Sequence, residues 1–158
     1  MKASLMKARR GIYAAAVSPF KADGSFDFDK SVAYSKHLLS DGGCDGVAPT
    51  GTTGEGTSVA MVDRLELPAA FAKAGIETDR VIFGTGAPAS GDCLALTKAA
   101  CDAGYTNVLV LPPYYYKNPS DDGLYAYYAN LINGVGRDDL RVYQYHFPQM
   151  SAAPLSTD

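Results

Sequence analysis

The sequence predicts an α/β fold of parallel strands joined by helical crossovers, and three observations carry that reading. Short apolar runs alternate with helical segments in the order βαβαβαβαβ. The runs are apolar on both faces, as strands are when helices cover a parallel sheet. And Asp41-Gly42-Gly43-Cys44-Asp45-Gly46-Val47 is echoed by Asp102-Ala103-Gly104-Tyr105-Thr106-Asn107-Val108, each a helix end, a glycine and a strand start.

The first strand is expected within Ile12 to Phe20. Lys2, Lys7, Arg9 and Arg10 precede it and superficially resemble the start of a signal peptide. The apolar stretch is short and runs straight into Ser18-Pro19-Phe20, so it reads as a strand. Asp23-Gly24 makes a turn. Asp27 or Asp29 caps a helix from about Lys30 to Leu39, which Gly42-Gly43 ends. Gly46 to Pro49 is the second strand. A helix from about Val62 to Ala74 follows, weakened by the internal Pro68. Val81 to Gly84 is the third strand, and Leu94 to Ala103 marks the third helix, ending at Gly104. Val108 to Leu111 is the fourth strand. A fourth helix, Leu124 to Ile132, begins a stripe of Leu124, Tyr128, Leu131 and Val135, and Arg141 to Tyr145 is the fifth strand.

The 158 residues suit one domain, 1–158. A net charge of −3 argues against nucleic acid or an anionic membrane surface as partner. No apolar run approaches the roughly 18 residues of a membrane span. Cys44, Cys93 and Cys101 are odd in number and form no CxxC, so they read as reduced thiols of a cytoplasmic protein; no spacing suggests a metal site.

Two architectures fit the element order. A five-stranded doubly wound sheet, flavodoxin-like and binding a phosphate or nucleotide, is complete at this length. A (β/α)₈ barrel needs about 250 residues. In both, chemistry sits at the carboxyl ends of the strands. The loop Gly51-Thr52-Thr53-Gly54-Glu55-Gly56 offers backbone N–H groups and two hydroxyls before a helix, which suits an anion; it also reads as a tight turn. Thr57 stands where a phosphate-binding P-loop needs lysine, which disfavours nucleotide. Gly84-Thr85-Gly86-Ala87-Pro88-Ala89 matches GxGxxA weakly and reads better as a small-residue turn. Nine of the eleven tyrosines fall between 105 and 145, and Tyr114-Tyr115-Tyr116 cannot all face one core. His146 lacks an evident acid or nucleophile partner.

Gly51-Thr52-Thr53-Gly54-Glu55, Pro113-Tyr114-Tyr115 and Tyr145-His146-Phe147-Pro148, in that order and each after its strand, resemble the dihydrodipicolinate synthase / N-acetylneuraminate lyase family. The resemblance runs from about Gly11 to Asp158 and reverses the preference for a doubly wound sheet. It implies a partial (β/α)₈ TIM barrel of about five strands and four helices, ending before strand six. It implies a lyase forming a Schiff base between a strand-six lysine and pyruvate or another 2-oxo acid, with no further cofactor, usually in a homotetramer. By match, Thr52 and Thr53 bind the substrate carboxylate, Tyr145 shuttles protons, and Thr52 links Tyr145 to Tyr115 of a neighbouring subunit. None of the lysines (2, 7, 21, 30, 36, 73, 98, 117) follows the fifth strand, so the chain alone is expected to be inactive. Met150 stands near the family's arginine for the second substrate's carboxylate, which puts aspartate semialdehyde in doubt.

Overall fold

The computed structural model describes residues 10–156; Lys2, Lys7 and Arg9 lie outside that range. Its elements are β1 (Tyr13–Ala15), α1 (Phe28–Leu39), β2 (Gly46–Ala48), α2 (Met61–Lys73), β3 (Phe83–Gly84), α3 (Ser90–Asp102), β4 (Asn107–Val110), α4 (Asp121–Val135), β5 (Arg141–Gln144) and α5 (Pro148–Ser151). A 3₁₀ turn, Thr78–Arg80, precedes β3.

Strand order decides between the two architectures. β1 pairs with β2, β3 with β4 and β4 with β5, always parallel. A parallel bridge from Val47 to Val81, with Ile82 N–H on Val47 O, joins β2 to β3. The order is therefore 1-2-3-4-5, with no reversal. A doubly wound sheet needs a reversal, where its helices change faces. Here α1 packs on α2, α2 on α3 and α3 on α4, in sequence round one side. This overturns the flavodoxin-like alternative and gives the first five strands of a barrel.

Local chemistry explains the helices. The Asp27 carboxylate accepts from Lys30 N–H at 3.0 Å, the N-cap expected of α1. The Ser120 hydroxyl accepts from Gly123 N–H and starts α4 three residues before its apolar stripe. Gly136 ends α4 in the left-handed region. Pro68 does lie inside α2, which runs through it; its ring is buried.

The core lies between helices and strands. Phe71, Phe83 and Tyr105 stack edge-on, with centroids 5.2 and 5.0 Å apart, and the buried Tyr105 hydroxyl donates to Ile76 O at 2.8 Å. At the amino ends of the strands, Arg80 donates to the carbonyls of Leu39, Cys44 and Asp45 and locks that face. The loops that vary in chemistry all leave the opposite, carboxyl ends.

Candidate active site

The segment after β2 is wound round one residue. Thr50 is buried and adopts φ 56°, left-handed for a β-branched side chain. Its Oγ1 lies 2.7 Å from Pro49 O and 2.9 Å from Gly84 O, with one proton to share. The glycines around it are there because nothing else fits. A Cβ at Gly56 would meet Thr50 O at 2.2 Å, one at Gly84 the same atom at 2.3 Å, and one at Gly54 Thr50 N at 2.7 Å. Ser18 on the loop after β1 donates to Gly54 O, so the loops after β1, β2 and β3 are tied into one surface.

That surface borders a cleft of about 280 Å³, lined by Thr52, Glu55, Thr57, Ser58, Arg64, Tyr114 and Met150, with backbone of Gly51, Gly56, Gly84 and Gly86. Thr52 is half-buried at its edge, and Thr53 next to it is exposed. Tyr145 follows β5 directly. Its N–H donates to Val110 O at 2.9 Å, placing it at the carboxyl end beside β4, and its ring lies 5.8 Å from that of Phe147. Tyr115 is 72% exposed with its ring against Tyr116. Neither Tyr145 nor Tyr115 lines the cleft, and among the described residues no hydrogen bond joins Thr52 to either. The structure thus brings Thr52, Glu55 and Met150 together and leaves Thr53, Tyr115 and Tyr145 off the lining.

His146 is exposed and accepts from Leu155 N–H at 3.2 Å, while His37 pairs with Asp41 at 3.4 Å on an exposed helix end. Burial pushes the Cys93 and Cys101 thiols up, away from the thiolate. Among the described residues no cluster of three metal-ligating side chains occurs, and no helix is long and apolar enough to cross a membrane.

Arg64 and Ser58 were not singled out from the sequence, and Tyr114 was read there only as a member of the tyrosine run. Arg64 lies on the buried stripe of α2 with Leu67, Pro68 and Phe71, and its Nη2 donates to Gly84 O and Gly86 O, each at 3.0 Å. Burial lowers its pKa from the ordinary arginine value, with Tyr114 the foremost group opposing. Tyr114 is half-buried; burial raises its phenol, and Arg64 pulls it back. An arginine in register with an apolar stripe is the signal that marks Arg64 in the sequence. Nothing distinguishes Tyr114 from its two neighbours.

Comparison with known proteins agrees with this geometry. The Dihydrodipicolinate synthetase family matches residues 8–158. The chain is 40% identical over 149 residues to an uncharacterized DapA-like lyase of Chloroflexus aurantiacus, covering 93% of this chain and 48% of the relative. Among solved structures it resembles dihydrodipicolinate synthase from Agrobacterium tumefaciens, with 37% identity and a TM-score of 0.86 over 94% of this chain and 51% of that one. It also resembles YagE, a prophage protein of the same family from E. coli K12 solved with pyruvate, at 26% identity and a TM-score of 0.80 over 91% and 47% of the two chains. The chain spans about half the length of the relatives it matches. Fold, site loops and match together place it in the dihydrodipicolinate synthetase family, as a counterpart of the N-terminal half of the family's barrel.

Proposed function

We propose that this chain supplies the carboxylate-gripping half of a Schiff-base lyase acting on pyruvate or a related 2-oxo acid in aldol-type or dehydratase chemistry. The observation that carries the reading is Thr52, held at the edge of the cleft by a loop whose backbone has little freedom to move. The pyruvate seen in YagE supports the identity of the acid.

In this reading the N–H and hydroxyl groups of Thr52 and Thr53 hold the carboxylate at the carboxyl ends of the strands. The 2-oxo group then faces the barrel axis, where a lysine forms the imine that withdraws electrons from C3. Tyr145, at the end of β5, passes the proton. A phenol with an ordinary pKa near 10 does this at neutral pH only through hydrogen-bonded partners. Thr52 is the link to Tyr115, contributed by a neighbouring copy in a homotetramer, and the exposure of Tyr115 is consistent with such an exchange. The setting is the cytoplasm. Every lysine precedes β5, and in this reading none of them is the one that forms the imine.

Pyruvate titrated into the ¹⁵N-labelled chain should shift the amides of Thr52, Thr53 and Gly54, and Thr52→Val should abolish the shifts. Borohydride with pyruvate should trap no adduct. Pyruvate shifts that survive Thr52→Val, or a trapped lysine adduct, refute the reading.

A further inference from the structure

The segment after β5 folds back on itself, and one titratable side chain closes it. Tyr145 N–H donates to Val110 O at 2.9 Å and fixes the start of the segment to β4. Asn118 N–H donates to Ala152 O at 2.9 Å and ties its middle to the loop after β4. Asn118 and Ala152 are both left-handed without being glycine, at φ 53° and 50°, so this tie joins two strained residues. Ser151 and Ala153, on either side of Ala152, are fully buried. The far end then returns to the beginning: Leu155 N–H donates to His146 Nδ1 at 3.2 Å, across nine residues. The loop so closed serves two cavities. Met150 lines the cleft beside Thr52, and Leu155 lines a groove of about 610 Å³ against Tyr125, Tyr128 and Ile132 of α4.

We propose that His146 is a positioning residue, whose neutral imidazole closes the loop that carries Met150 to the cleft and whose protonation opens it. Nδ1 accepts a hydrogen bond only while the ring is neutral with its proton on Nε2. A second proton makes Nδ1 a donor, which then confronts Leu155 N–H, and the bond is lost. Histidine makes this change near neutrality. The closed loop binds one proton fewer than the open loop, so closure strengthens as pH rises through the imidazole titration and is lost as pH falls through it. The elements packed against the loop carry charges of both signs. Asp121 and Asp122 of α4, on the same groove as Leu155, favour the imidazolium; Arg141 of β5 and Lys117 of the loop after β4 favour the neutral ring. Tyr125 and Tyr145 are the other titratable groups beside it. Opening releases Leu155 from α4 and Met150 from the cleft edge, so the shape of the cleft follows pH. The proposal goes beyond the lyase reading, because it concerns a wall of the cleft whatever the cleft binds.

The test follows the ¹⁵N-labelled full chain by NMR from pH 8 to pH 5. The amides of Leu155 and Met150 are expected to shift with the same midpoint as the His146 imidazole. Solvent exchange of the Leu155 amide, corrected for the intrinsic rate at each pH, should speed up about two- to tenfold across that midpoint, the worth of one hydrogen bond. His146→Asn sets a carboxamide oxygen where Nδ1 stood and does not titrate, so it should keep the Leu155 amide protected throughout. His146→Leu has no acceptor and should leave that amide open throughout. Both change an exposed side chain, so circular dichroism should show the parent's fold. His37, the other histidine, is the control: His37→Asn should leave the Leu155 step unchanged. A Leu155 amide that ignores the His146 midpoint, a step that persists in His146→Asn, or exchange in His146→Leu no faster than in the parent at pH 8 would overturn the proposal. Pyruvate plays no part in the test, so this proposal and the lyase reading can each fail alone.

Discussion

Gly84→Ala tests whether the site loop is held by backbone packing. An added Cβ meets Thr50 O at 2.3 Å, Thr50 C at 2.5 Å and Gly51 N at 2.7 Å. All three are backbone atoms, so no flexible side chain can swing away. Reaching ordinary contact means parting the loop from β3 by about 1 Å. Three bonds cross the same gap: Gly84 N–H to Pro49 O at 2.9 Å, Thr50 Oγ1 to Gly84 O at 2.9 Å, and Arg64 Nη2 to Gly84 O at 3.0 Å. Overpacking of this kind costs about 1–3 kcal/mol, and each hydrogen bond weakened adds about 1 kcal/mol. The sum is roughly 4–6 kcal/mol, a fall in Tm of about 8–24 °C for a chain of this size. Gly24→Ala is the control. Gly24 has φ +83° but nothing within 4 Å of the added Cβ, so only the left-handed backbone is penalised, by about 1–2 kcal/mol. Thermal melts followed by circular dichroism should show Gly84→Ala falling at least twice as far. Equal losses, or a Gly84→Ala melt within about 2 °C of the parent, refute the packing argument.

Ser120→Ala removes the oxygen that accepts Gly123 N–H at the start of α4; a loss of about 1 kcal/mol is expected, a Tm drop of about 2–4 °C by the same melt. Tyr105→Phe probes pH. Burial pushes the Tyr105 phenol up to about 12 from 10, so the folded chain keeps a proton that the unfolded chain releases between those values. The folded state then binds more protons than the unfolded one, and stability falls as pH rises through that window. Urea midpoints at pH 9 and pH 11 should converge in Tyr105→Phe relative to the parent. Some slope remains, because Tyr127 and Tyr128 are raised in the same direction. An unchanged slope counts against the assignment.

The alternation of strands and helices was legible because it rests on local side-chain pattern. The cap at Asp27 was legible because a short acid before an apolar stripe has one economical use. The architecture was not legible from pattern. A doubly wound sheet and a barrel both need short strands apolar on both faces, and they differ only in strand order, which is a non-local outcome. The resemblance of the loops decided it. The short elements were missed for a different reason. The 3₁₀ turn Thr78–Arg80 and the four-residue α5 span too little chain to show a period. Pro68 argued against α2, yet the helix persists because residue 68 falls on the buried stripe, where packing offsets the missing N–H. At the site, the threonine pair stood out as a loop feature. Arg64 did not, because a single charge among apolar residues reads as a surface position until its register is compared with Leu67 and Phe71.

The structure divides the Gly51–Gly56 motif into a part that packs and a part left over for chemistry. Thr50 and Glu55, at φ 56° and 46°, are non-glycine residues in the left-handed region, each costing about 1–2 kcal/mol. Two such residues within six positions need compensation nearby. Thr50 has it in its hydroxyl contacts to Pro49 O and Gly84 O, and in the close seat formed by Gly54, Gly56 and Gly84. These glycines therefore follow from the path of the backbone and would be needed whatever the loop bound. Glu55 has no such compensation: it is exposed, and no side-chain hydrogen bond or ion pair secures it among the described residues. The strain at Glu55 turns the chain so that the cleft is lined by Thr52 before the turn and by Thr57 and Ser58 after it. The motif's claim to function thus narrows from six residues to the hydroxyls that the strained turn aims at one cavity.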